Sequence, residues 1–282
     1  MPYTCLKDSH VIKIDGAYLY KFGSQMRPLL DIPETERSKG EMYFPASTAR
    51  SALNEFMLQS VFRQELVAVE KDAQDLEEEL AKYDGDIFEM FDSDEKISEW
   101  QVRKLKEAYR KFVNVLDATF RLSTMYYVSP KGGYNTQYLT EAGDYMFPSD
   151  LSQKVPDAIS DVKQATRCIA FELPTAAGFH LHRANESVLR AYWDVVTGGE
   201  PRPNEGNMGV YLAELNKLNK GKKAVREHLK SIKDFHRNPL MHPDQSLDTV
   251  DEAISLMAAI RCSIGYMLAE IPNSDPLLLP SS

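Results

Sequence analysis

The chain has only three cysteines, Cys5, Cys168 and Cys262, and their spacing matches no metal-ligand pattern. A disulfide framework is thereby set aside, and a reduced, cytoplasmic setting is expected. Apolar runs of bilayer-spanning length are missing too, so no membrane partner is expected. The opening residues, Met1-Pro2-Tyr3-Thr4-Cys5-Leu6-Lys7-Asp8, lack the basic-then-apolar layout of a secretory leader. Positive charge is scarce. A net charge of −9 argues against a surface that coats long stretches of nucleic acid, because phosphate binding leans on clustered Lys and Arg. Lys131-Gly132-Gly133 lacks the glycine and Ser/Thr positions of a phosphate-binding loop and reads as a glycine turn.

What remains is a mainly α-helical protein. At 282 residues the chain can form one large domain or two ordinary ones. Val11 to Phe22 reads as a small N-terminal β-hairpin with Asp15-Gly16 at its turn. Residues 23 to 45, with Pro28, Pro33 and Pro45, read as a loop. A long helix is expected from Ser47 or Thr48 to about Lys82. Its apolar positions Phe62, Leu66, Val69, Ala73, Leu76 and Leu80 alternate steps of four and three. A second long helix, roughly Glu95 to Thr124, carries Leu105, Tyr109, Phe112, Leu116 and Phe120 along one stripe. The two should pair as an antiparallel helical hairpin. That pairing serves either as core alone or as an oligomerisation, sensing or partner region. The helical pattern breaks over residues 125 to 155, which places a domain boundary near 150 and gives domains 1–150 and 151–282.

Helices are expected in the second domain from Asp157 to Glu172, from about Pro174 to Gly198-Gly199, from Asn207 to near Gly221, and from Lys222 to His236. Thr249-x-x-Glu252 is a capping box for the last helix. Between the final two lies Lys233-Asp234-Phe235-His236-Arg237-Asn238-Pro239-Leu240-Met241-His242-Pro243. Its prolines stop the helix and stiffen the connection. From 220 to 242 seven cations face only Glu227 and Asp234, a local positive site on an acidic body. The other reading of that charge is a solvated helix face.

Arg237, Asn238 and His242 bring together the groups needed to cleave RNA without a metal. A guanidinium fork can hold developing phosphate charge, an imidazole can move a proton near neutral pH, and an amide can orient either. The other reading is an arginine at a helix C-terminus and a histidine bonded to backbone. Arg-Asn-x-x-x-His resembles the Arg-x4-His motif of the HEPN superfamily, and the resemblance spans roughly residues 150 to 272. Many catalytic members are metal-independent ribonucleases. The resemblance implies a helical bundle of four to five helices, RNA as substrate, and a homodimer or higher homo-oligomer whose two motifs share a cleft. It also implies no cofactor or metal, and a setting in toxin–antitoxin pairs or phage defence with an antitoxin or defence-complex partner. HEPN domains also serve as non-catalytic scaffolds or as nucleotide-binding subunits of such complexes.

Phe179-His180-Leu181-His182-Arg183-Ala184-Asn185-Glu186 is a second polar cluster. His180 and His182 are about 200° apart on a helix and cannot share one metal. His182, Arg183 and Glu186 are candidates to line the same cleft, with a buried ion pair as the structural alternative. Lys230, Lys233 and His236 on the basic helix complete the candidate substrate contacts.

Overall fold

The computed structural model describes residues 3–5, 12–86, 88, 91, 95–204, 206–237, 240 and 245–273. The protein is mainly α-helical and divides into two compact units, Met1–Tyr126 and Tyr127–Ser282. The division falls earlier than residue 150. Leu139, Met146 and Phe147, in the stretch between, are buried in the second core, so that stretch belongs to the second unit.

In the first unit an antiparallel pair joins β1 (Tyr3–Cys5) to β2 (Ile12–Ile14), with Thr4 opposite Lys13. The hairpin expected over Val11 to Phe22 is not formed: Ile12–Ile14 pairs with Tyr3–Cys5 instead, and Asp15-Gly16 opens a helix rather than a turn. Asp15 caps α1 (Gly16–Met26), its Oδ1 accepting the Ala17 N–H at 2.9 Å. An Asp-Gly pair supports a tight turn or a helix start through the same short side chain, and local sequence does not separate the two. Tyr18, Phe22 and Met26, four apart, decide for helix. Tyr18 and Met26 are buried, and Phe22 stacks on Phe56 with centroids 4.1 Å apart.

Residues 23 to 45 are largely helical rather than a loop. After α2 (Pro28–Asp31) and β3 (Arg37–Ser38), α3 (Lys39–Gln59) opens on a capping box between Ser38 and Glu41. Pro45 lies inside α3 and removes one ladder hydrogen bond, an interruption worth about 3 kcal/mol. The helix continues because Met42, Ala46, Ala49, Leu53 and Phe56 form a buried stripe. The long helix expected up to Lys82 breaks at Ser60, whose Oγ accepts the Phe62 N–H at 3.1 Å. A 3-10 turn (Glu65–Val69) leads into α4 (Glu70–Ala81). β4 (Lys96–Ile97) pairs with β3, and α5 (Glu99–Leu122) follows from a second capping box at Ser98 and Gln101.

α4 and its preceding turn pack antiparallel to α5. Glu79 pairs with Lys104 at 2.7 Å, while Phe62 meets Phe120 at the other end with centroids 5.0 Å apart. Every heptad position from Phe62 to Leu80 is buried, as are Leu105, Tyr109, Phe112 and Leu116.

The second unit opens on the glycine turn. Lys131 bridges Tyr134 across Gly132 and Gly133, both at positive φ (53° and 80°), where other residues are strained. Short helices α6 (Thr136–Glu141) and α7 (Leu151–Lys154) follow. Then α8 (Asp157–Ala170) and α9 (Pro174–Thr197) pack along each other, and α9 ends at Gly198 in the left-handed conformation, φ 73°. α10 (Met208–Lys217) is capped by Asn207, and α11 (Lys223–Ile232) widens into a π turn at Lys233–Arg237. α12 (Val250–Leu268) opens on the Thr249–Glu252 capping box and packs against α9.

Because Asp15 is an N-cap, Asp15→Ala is expected to lower unfolding stability by about 1 kcal/mol, and Asp15→Ser by only a few tenths. Urea titration followed by circular dichroism measures both. Equal losses would mean that capping is not what Asp15 contributes.

Candidate functional site

The site is built on α9, which is buried from Ala177 to Trp193 along the stripe Leu181, Ala184, Asn185, Val188, Leu189 and Tyr192. One edge of α9 carries Gly178, His182 and Glu186, spaced four apart so that they rise along a single side. Leu240 and Arg237 lie against that edge. At its end Leu240 comes so close to Gly178 that an added Cβ would sit 2.6 Å from its side chain. At the other end Arg237 donates from Nε to Glu186 Oε1 at 3.3 Å.

Glu186 holds two groups at once. The same Oε1 accepts the Met208 N–H at 3.3 Å, so its carboxylate sits at the N-terminus of α10, where a negative charge is favoured by the exposed amides. Glu186 and Arg237 are both largely covered, with 16% and 22% of their side chains exposed. Among the described residues Arg237 donates from Nε, and neither Nη group donates a hydrogen bond.

The π turn decides how this face is presented. A turn wider than an α turn adds a residue to the helical repeat. Both His236 and Arg237 are half-buried. Burial pushes the His236 imidazole below its ordinary pKa. Lys233, at the start of the turn, pairs with Asp234 at 3.0 Å, and its stem reaches toward Gly209 at the N-terminus of α10. Lys230 is exposed on α11.

His182 is 2% exposed, and among the described residues neither ring nitrogen has a hydrogen-bond partner. Burial, reinforced by the Arg237 guanidinium and by His236 when it is protonated, pushes its pKa down to about 3, so it is a neutral imidazole at physiological pH. Asn185 is fully buried, and among the described residues both its amide oxygen and its nitrogen are also without partners. Leaving such groups unsatisfied costs about 1–3 kcal/mol each. Sequence reasoning did not single out Asn185. The available signal was an amide at a position of α9 where the helical period calls for an apolar side chain.

Of the residues proposed from sequence, the structure brings together Arg237, Glu186, His182, His236 and Lys233. Arg183 points elsewhere: its largely exposed guanidinium donates to Asp161 of α8 at 3.2 Å, beside His180, which meets Asp161 at 2.8 Å. His180 and His182 thus face different neighbours, as their angular separation requires. Asn238 and His242 lie outside the described residues. Among the described residues no three His, Cys, Asp or Glu side chains converge as metal ligands would. In comparisons with known proteins, no family model, no curated protein and no solved structure matches this chain.

A neutral buried histidine makes stability depend on pH. With a folded pKa of about 3 and an unfolded value near 6.5, the unfolded chain binds the proton between those limits and the folded chain does not. Stability is therefore full above about pH 6.5 and falls as pH drops toward 3, by at most about 1.4 kcal/mol per pH unit from this group. His182→Leu is expected to flatten the fall in melting temperature between pH 6.5 and 4. An unchanged slope would show that other groups carry it.

Proposed function

We propose that the protein is a metal-independent endoribonuclease of HEPN type, acting as a toxin or phage-defence effector. The observation that supports this reading best is a largely covered guanidinium that, among the described residues, donates only from Nε. Glu186 orients Arg237 through Nε and leaves the two Nη groups for a ligand with paired oxygens, the chemistry of a phosphodiester. In a site partly withdrawn from water such a contact is stronger than at the surface.

In this mechanism a ribose 2′-hydroxyl attacks the adjacent phosphorus, its proton passing to an imidazole. The P–O5′ bond breaks, the leaving oxygen takes up a proton, and a 2′,3′-cyclic phosphate and a 5′-hydroxyl result. Arg237 stabilises the charge that gathers on the non-bridging oxygens, which is the step where fixed donors help most. Glu186 is a positioning residue that acts through Arg237. His242 carries the proton, and Asn238 orients one of the two. A single imidazole serves as base and then as acid, or two motifs of a homo-oligomer divide the roles.

Wild type is expected to cut single-stranded RNA in excess EDTA and to leave cyclic phosphate ends. Arg237→Ala and His242→Ala should each lower the rate by about 10²–10³ or more with melting temperature preserved. Arg237→Lys should rescue little, because a point charge does not reproduce the fork. The rate should follow a sigmoidal or bell-shaped pH profile near neutrality. A flat profile from pH 5 to 9 would remove His242 as proton carrier. A wild type that is inert on RNA, with variants that lose only a partner protein, would establish the scaffold role instead.

A further inference from the structure

The loop from α9 to α10 encloses a cleft of about 570 Å³, a volume in the range of small-molecule sites. One wall is α10, where Val210 and Glu214 are four apart and Leu218, just past the helix end, continues the same side. Trp193 of α9 forms the floor, and Glu200, Pro201 and Pro203 form the facing wall. Local bonds hold this shape. The Trp193 indole N–H donates to the Glu200 carbonyl at 3.0 Å, and its ring meets Tyr211 edge-on with centroids 5.5 Å apart. The two proline rings fix φ on the loop side.

The charge on these walls has one sign. Glu200 and Glu214 line the cleft, and among the described residues no lysine or arginine does. Arg202, which lies between the two prolines in sequence, is drawn to Asp194 instead, donating from Nε at 2.9 Å. The Glu200 carboxylate therefore has no partner among the described residues. Glu214 meets Lys217 at 3.1 Å in a solvent-exposed contact of the kind that contributes little and exchanges readily.

We infer that this cleft binds a guanidinium carried on an aliphatic stem, either free or as the arginine side chain of a partner protein. The stem lies against Val210, Leu218 and the proline rings, and the head pairs with the two carboxylates. A guanidinium suits such a place better than an ammonium, because it is more weakly hydrated and its paired donors match a carboxylate. Neither Arg237 nor Glu186 lines the cleft, so its occupancy and the cleavage of RNA are read separately.

The cleft carries its own reporter. Trp193 is one of two tryptophans in the chain, and the other, Trp100, is exposed in the first unit. In full-length protein carrying Trp100→Phe, emission is followed during titration with butylguanidinium, with butylurea, and with an acetylated Gly-Arg-Gly amide. Butylurea has the same shape without the charge. Butylguanidinium is expected to change the emission saturably and to bind about tenfold more tightly than butylurea, the scale of one hydrogen bond to a charged group. Glu200→Gln and Glu214→Gln should each weaken butylguanidinium by a similar factor, with butylurea and the melting temperature unmoved.

Tighter binding of the tripeptide than of butylguanidinium identifies a partner's arginine as the occupant, and the reverse order identifies a free molecule. If Trp100→Phe does not melt cooperatively, isothermal titration calorimetry of the unaltered chain reads the same ratios. Equal binding of butylguanidinium and butylurea, or a response untouched by both glutamine variants, overturns the proposal. So does the lack of any saturable response to either guanidinium probe up to about 10 mM.

Discussion

The burial of α9 is the constraint on which the second unit depends. This helix is packed by α8 and α12 along most of its length, and its stripe from Ala177 to Trp193 is shielded from water. A polar group carried on such a helix cannot relax into solvent. It must find a partner, lose its charge or remain unsatisfied. Glu186 takes the first course, with Arg237 and the start of α10. His182 takes the second, held neutral by its surroundings. Asn185 takes the third. Three adjacent polar residues thus acquire three different chemistries from one packing arrangement.

The Arg237–Glu186 contact also joins three elements that are distant in sequence. A single carboxylate oxygen ties the end of the π turn to α9 and to the first amide of α10. The pair is largely covered but not sealed, so its desolvation penalty is moderate and its geometry is kept. The guanidinium is therefore held in a fixed orientation through its Nε. The first unit is built differently. Its core is a set of apolar stripes on α1, α3, α4 and α5, and its ion pairs, such as Arg50 with Glu77 and Asp84, lie at the edges of those stripes.

Much of this fold is legible in the residues themselves. The steps of four and three from Phe62 to Leu80 mark a buried seam, because a helix returns to the same face at that interval. The boxes Ser98–Gln101 and Thr249–Glu252 lie at observed helix starts, as does Ser38–Glu41, which the nearby prolines masked. Where reading by pattern went astray, two local signals conflicted and distant contacts decided. Asp15-Gly16 suits a turn and a cap equally, and stacking of Phe22 on Phe56 selects the cap. Pro45 signals a stop, and the buried stripe of α3 overrides it.

The amino-acid order alone determined that the chain would be helical, where the helices from Asp157 onward begin, and that Arg237 would stand at the end of a basic one. Those properties are set by hydrogen bonds and periodicities a few residues long. Which polar side chains share the neighbourhood of Arg237 was decided only by tertiary packing. Glu186 lies fifty-one residues away in sequence, and Arg183, three residues before it, is drawn to Asp161 instead. Burial that neutralises His182 and strands Asn185 likewise belongs to no local segment, since it arises from the helices that close over α9.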